Sequence, residues 1–141
     1  MSKATILNGL TKNDIVLLYT YLAFYEDNHI KTIKSDTDLN SLLPDIIINM
    51  KALTKNIKFK RAAKGSVSNA KDLKNEIIYV KHHTIILSIL YHLRNAIAHH
   101  LLEVENKKFT FWDISSEKNQ TLTAYGTISI EKVKNIIKLF V

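Results

Sequence analysis

Apolar residues recur three and four positions apart from Ile15 through Leu18, Tyr19 and Leu22 to Phe24 or Tyr25. That is the period of one face of an α-helix, and it predicts a helix over about residues 12–28. Thr11 and Asp14, in TKND, supply a capping-box-like start with an acid in the turn where the helix dipole favours one. After a polar stretch, NHIKTIKSDTD, the apolar positions Ile46, Ile47, Met50 and Leu53, with Ile57 as a further member, continue a second helix toward about residue 56. Pro44, the only proline, fits its first turn. Residues 58–69 are basic and hold Gly65, Ser66 and Ser68, which is loop composition. The longest periodic segment, about residues 70–99, has no Gly or Pro and reads as helix, capped by Ser68 or Asn69. Near Lys81–His83 either a continuous helix or a break fits.

After His100 the period falls to two. LLEVENKKFTFWDI alternates, with Asn106-Lys107 as a turn, and TLTAYGTISI is rich in Thr and Ile. Two or three short antiparallel strands are predicted, at about 101–105, 108–114 and 121–128. A lone hairpin is marginal in water, so this one must pack on the helices. Ser129 caps a closing helix whose apolar stripe is Ile130, Val133, Ile136, Ile137 and Phe140. The expectation is a mainly α fold, a helical bundle with a small antiparallel β-hairpin before the last helix, forming a single domain over residues 1–141.

Projected at about 100° per residue, residues 84–100 place Ile85, Ile86, Ile89, Leu90, Leu93, Ala96 and Ile97 on one core-facing stripe. The opposite side, Thr84, Leu87, Ser88, Tyr91, Asn95 and Ala98, is small and largely polar, with no Lys or Glu. A face left to solvent usually carries long charged side chains, so this one reads as covered. A second copy of the chain in a two-fold pairing is the expected cover. Arg94 and His99 are about 140° apart on the same projection and flank the small face from its two edges. One chain does not easily aim both at one point. Two antiparallel copies bring Arg94 of one toward His99 of the other.

Composition narrows the field. There is no Cys, which excludes a disulfide scaffold, a thiol nucleophile and a cysteine zinc site. The first residues, MSKATILNGLTKND, hold no apolar run of signal-peptide length, and no run in the chain approaches the ~20 residues of a membrane span. A cytoplasmic protein without membrane partners is expected. The net charge is +7, and all of that excess lies in residues 51–81, where nine basic residues stand against two acidic ones. The tightest part, KNIKFKRAAK, offers Lys55, Lys58, Lys60, Arg61 and Lys64 as candidate RNA-backbone contacts. The same segment also reads as an ordinary solvated loop.

Residues 91–100, YHLRNAIAHH, carry the chemistry. Imidazole, with an ordinary pKa of ~6.5, both takes and gives protons near neutrality. Guanidinium offers a fork that matches phosphate oxygens and keeps its charge when half-buried. An Asn between them orients the imidazole or binds a ribose hydroxyl. Together these parts suit attack of a ribose 2′-hydroxyl on its own neighbouring phosphate, a reaction that requires no metal or other cofactor. A zinc set of His92, His99 and His100 is disfavoured, since no carboxylate stands nearby in sequence and His99 and His100 point to different sides. His100 falls on the core stripe and reads as structural. His92 is either a neighbour supporting the site or exposed, and Asp113 is either a strand-end cap or a neighbour of the site. His82 and His83 receive no role, and Phe109, Phe111 and Trp112 read as hairpin packing.

RNAIAH (94–99), an Arg followed by Asn and then by a His at the end of a long apolar helix, resembles the signature of HEPN domains. The hairpin with FWD (111–113) followed by TISIEKVKNII resembles one bacterial HEPN subgroup, loosely over about residues 20–141. The resemblance implies a small, typically dimeric helical protein of toxin–antitoxin or anti-phage systems, and a metal-independent endoribonuclease. Its site would be composite at a homodimer interface. Arg94 would steady the transferring phosphate, His99 would move the proton, and Asn95 would be their polar partner. RNA, a second copy and a cognate antitoxin protein are the implied partners. Toxins of this kind that pair with a nucleotidyltransferase often carry a Tyr two residues after the motif His; here that position is Leu101, which argues against that mode of control. The alternative, of a different class, is a non-catalytic module of the same type that binds a nucleotide, an RNA or a protein.

Overall fold

The computed structural model describes residues 9–68, 73–116 and 120–141. The cap expected at Asn69, the charges of Lys71 and Asp72, and the first eight residues lie outside that description. Helix α1 spans Lys12–Asp27. Its capping box is complete: the Asp14 N–H donates to Thr11 Oγ1 (3.1 Å) and the Thr11 N–H to Asp14 Oδ2 (3.3 Å). Such a cap contributes about 1 kcal/mol. The helix buries Leu18, Tyr21 and Tyr25. A 3-10 turn (Ile30–Thr32) leads to α2 (Asp36–Leu42), capped by Ser35, and α3 (Ile46–Leu53). The polar stretch expected to be a plain separator therefore holds helix of its own. Pro44 lies two residues ahead of α3 rather than in its first turn.

The chain then departs from the expected bundle. Lys58–Ala62 form strand β1, Glu76–Val80 form β2, and only then does α4 run from Ile85 to Ala98. Strands β3 (Leu102–Glu105), β4 (Lys108–Ile114) and β5 (Leu122–Ser129) follow, and α5 (Ile130–Ile137) closes the chain. All five strands join one sheet in the order β1-β2-β5-β4-β3. β1 and β2 are parallel; the other neighbours are antiparallel. The fold is an α/β layer, not a mainly α bundle with a small hairpin.

Two misreadings account for the difference. The basic segment is not all loop: Lys58, Lys60 and Arg61 sit on an edge strand, where charged side chains block pairing with other molecules. The segment read as one long helix holds a strand, a break and a shorter helix. EIIYV is β-branched and aromatic, and its strand is mostly buried, so it shows no alternation. The break is at His83, whose φ of 68° no helix accommodates, and Thr84 restarts the helix by accepting from the Leu87 N–H (3.2 Å).

The sheet also answers what covers the small face of α4. The helix packs on β4 and β2 with one side and on α1 with another. Leu87 and Ser88, assigned to the face awaiting a second copy, are 2% and 0% exposed within one chain. The protein's own sheet thus covers these two, whereas Thr84, Tyr91, Asn95 and Ala98 of the same face stay part-exposed. Within the sheet, Gly126 of β5 leaves room for the side chains of its two strand neighbours: a Cβ there would come within 2.8 Å of Ile77 Cγ1 and 2.9 Å of Phe111 Cε1. The three strands after α4 match the predicted positions closely, and Ser129 caps α5 as expected by accepting from the Lys132 N–H.

Candidate functional site

The C-terminal end of α4 sets the site. The Leu101 N–H donates to Ala96 O (2.8 Å) and the His100 N–H to Ile97 O (3.2 Å), the paired bonds of a Schellman motif with His100 in the left-handed position (φ 58°). The Tyr19 hydroxyl lies 2.9 Å from His100 Nε2 and anchors that ring to α1. His100 thus stands in the turn after the helix, beside a tyrosine, rather than on the apolar stripe where the wheel placed it. His99 is the helix C-cap. Arg94, Asn95 and His99 line one cleft of about 430 Å³ within a single chain.

Arg94 is held from two sides. Its Nη1 donates to Asn95 Oδ1 (2.9 Å), and its Nη2 pairs with the Glu26 carboxylate of α1. Its Nε is buried and lacks a hydrogen-bond partner among the described residues. Asn95 in turn donates from Nδ2 to Asp113 Oδ2 (3.0 Å), and the same oxygen lies 2.8 Å from His92 Nδ1. His92 Nε2 is 2.7 Å from Val80 O. His92 and Asp113 are 2% and 3% exposed. The two nitrogens of the His92 ring thus face two oxygens, one of the Asp113 carboxylate and one of the β2 backbone.

Sequence reasoning named His92 and Asp113 without deciding their roles. One signal was available: the alternation of KFTFWDI puts Asp113 on the same face as Phe109 and Phe111. A carboxylate on a core-facing position demands a partner. A bulge between Asp113 and Ile114 ends that alternation beside the cleft.

His82, given no role from the sequence, also lines the cleft. Its ring stacks on Tyr91, with centroids 3.9 Å apart and planes 13° from parallel. Its backbone N–H donates to the buried Ser88 hydroxyl (2.7 Å). Burial, and then the neighbouring His83, push the His82 pKa below the ordinary 6.5. No sequence period marks this residue: the sequence leaves open a break near Lys81–His83, where the structure has one, but does not show the strand that precedes it.

Cations rim the cleft: Lys31, Lys64 and Lys81 line it. Lys64 and Lys81 also line an adjoining hollow of about 420 Å³ with Arg61. Of the five basic residues singled out, Lys64 reaches the cleft and Arg61 the adjoining hollow, whereas Lys55, Lys58 and Lys60 line neither. A larger groove of about 600 Å³ lies on the outer face of the sheet, where Trp112 and Tyr125 stack side by side (6.4 Å). Phe109 and Phe111 are core residues, whereas Trp112 is part-buried and lines this groove. That groove has no histidine or arginine among its lining residues. His82, His92, His99 and Arg94 line the smaller cleft instead. His92, His99 and His100 take different surroundings, and among the described residues no three His, Cys, Asp or Glu side chains gather as metal ligands. No described helix is long and apolar enough to cross a membrane.

These features define an α/β domain with a polar, cation-rimmed cleft at the end of a buried helix. A family model described as HEPN pEK499 p136 matches residues 10–141, and the chain therefore belongs to that HEPN family. No curated protein and no solved structure matches it.

Proposed function

We propose that this protein is an endoribonuclease of HEPN type that needs no metal ion for catalysis. The observation that carries the reading is that Arg94, Asn95 and His99 line one cleft whose rim is cationic. In the proposed reaction a ribose 2′-oxygen attacks the adjacent phosphorus and the 5′-oxygen of the next nucleotide leaves. The 2′-hydroxyl proton passes to a base, and a proton is supplied to the leaving oxygen. The products are a 2′,3′-cyclic phosphate and a 5′-hydroxyl. His99 is the proton-transfer group, exposed at the cleft and of the one side-chain type suited to both directions near neutrality. Arg94 stabilises the charge that builds on phosphorus oxygens. Lys31, Lys64 and Lys81 attract the RNA backbone with little regard to sequence.

Arg94→Ala and His99→Ala are each expected to abolish cleavage of a short RNA while leaving the circular dichroism spectrum and melting temperature near wild type. Chelator in the assay should leave the rate unchanged. Cleavage that persists in both variants removes this assignment.

A second reading has one observation in its favour. Arg94 is engaged by Glu26 and Asn95, so its fork is already occupied in the free protein. A non-catalytic module that binds RNA, a nucleotide or a protein would tolerate that occupancy. Incubation with bulk RNA in chelator separates the two: binding without new cyclic-phosphate ends supports the module. A toxin role predicts growth arrest on induced expression, relieved by Arg94→Ala.

A further inference from the structure

Asn95 sits between two groups of opposite demand. Its carbonyl oxygen accepts from the Arg94 guanidinium, and its amide nitrogen donates to the Asp113 carboxylate. Rotating that amide by half a turn would set oxygen against carboxylate and N–H against N–H, losing both bonds. Asp113 therefore selects the orientation in which Asn95 offers its oxygen to Arg94. Asp113 itself is held by His92, which is bound at its other nitrogen by the β2 carbonyl of Val80. The chain of contacts runs from the sheet, through two buried side chains, to the arginine of the cleft.

We infer that Asp113 and His92 are positioning residues of this site, holding the Asn95 amide in the one orientation that orders the Arg94 fork for phosphate. The inference rests on the ribonuclease reading. Neither residue is assigned contact with RNA. Both act through Asn95, Asp113 directly and His92 through Asp113. What the inference requires at position 113 is an acceptor, because the His92 and Asn95 contacts converge on the single oxygen Oδ2. An amide carbonyl placed there accepts the same two bonds.

The test is a double-mutant cycle with a conservative rescue. Asp113→Ala should lower cleavage of a short RNA about tenfold to a hundredfold, the range for a displaced reacting geometry. Asp113→Asn should recover to within about threefold of wild type, since it keeps an acceptor at the same place. In an Asn95→Ala background, Asp113→Ala should add less than about a twofold loss, because residues acting through one another are not additive. Equal losses in both backgrounds, or no rescue by Asp113→Asn, overturn the inference. Should Asp113→Ala fail to fold, Asp113→Ser takes its place in the same cycle.

A second readout does not depend on turnover. The side-chain amide protons of Asn95 should exchange slowly with solvent in the wild type and in Asp113→Asn, and rapidly in the alanine or serine variant. If the wild type cleaves no RNA, the ribonuclease reading fails while this measurement still decides whether Asp113 holds Asn95. Unchanged exchange in every variant overturns the positioning role itself.

Discussion

At the scale of single residues, His82 is the group whose titration the fold perturbs beside the cleft. It stacks on Tyr91 and faces the charges of His83, His92 and Lys31. Its folded pKa lies below the ordinary 6.5, with burial as the first cause. The unfolded chain therefore takes up this proton at a higher pH than the folded protein does. Between those two values the unfolded state binds more protons, so stability rises with pH there. The stabilisation associated with neutral His82 is present above about 6.5 and is lost as the pH falls below it. Melting temperatures recorded from pH 7.5 to 5 should fall more steeply for the wild type than for His82→Gln. Parallel curves for the two proteins would show that His82 does not couple folding to protons.

At the scale of elements, α1 matters to the site because it delivers Glu26 to Arg94 of α4. The two side chains are 51% and 27% exposed, so the pair is screened and contributes at most about 1 kcal/mol. It does, however, occupy the guanidinium that a phosphate must engage. Glu26→Gln should leave the melting temperature within a few degrees of wild type and raise affinity for a non-cleavable 2′-O-methyl oligoribonucleotide by up to about fivefold, the equivalent of losing a competitor of that strength. Weaker binding in that variant would mean that Glu26 holds Arg94 in place rather than competing for it. Elements also mark where the sequence is legible. TKND announces α1, and the alternation of KFTFWDI announces β4, because caps and half-buried strands write their periods locally. β1 and β2 escape notice for the converse reason. Their pairing is parallel and depends on a crossover, so KFKRA shows only its lysines and EIIYV only its burial. The motif RNAIAH was readable as chemistry. That Arg94 and His99 line the same cleft was not, because its other walls come from β2 and β4, which the wheel of one helix does not show.

At the scale of the whole molecule, the question is how many chains complete one site. The wheel argued for two, since it set Arg94 and His99 on opposite edges of a face that nothing in the chain covered. The sheet buries Leu87 and Ser88 of that face, Thr84, Tyr91, Asn95 and Ala98 stay part-exposed, and Arg94 and His99 line one cleft. A homodimer with a shared site is still what the family resemblance implies, and light scattering would report the dimer. Mixing variants separates the two arrangements without assuming either. Suppose each site draws Arg94 from one chain and His99 from the other. A dimer of Arg94→Ala with His99→Ala then contains one site in which both groups are intact. Co-refolding equal amounts should in that case restore about a quarter of wild-type activity, since half the dimers are mixed and each of those has one good site. If each cleft is completed by its own chain, every cleft in the mixture lacks one group and activity stays at the level of the separate variants. The arrangement of Arg94 and His99 on one cleft leads us to expect the second result, with a wild-type and double-variant mixture as the control that co-refolding preserves active chains.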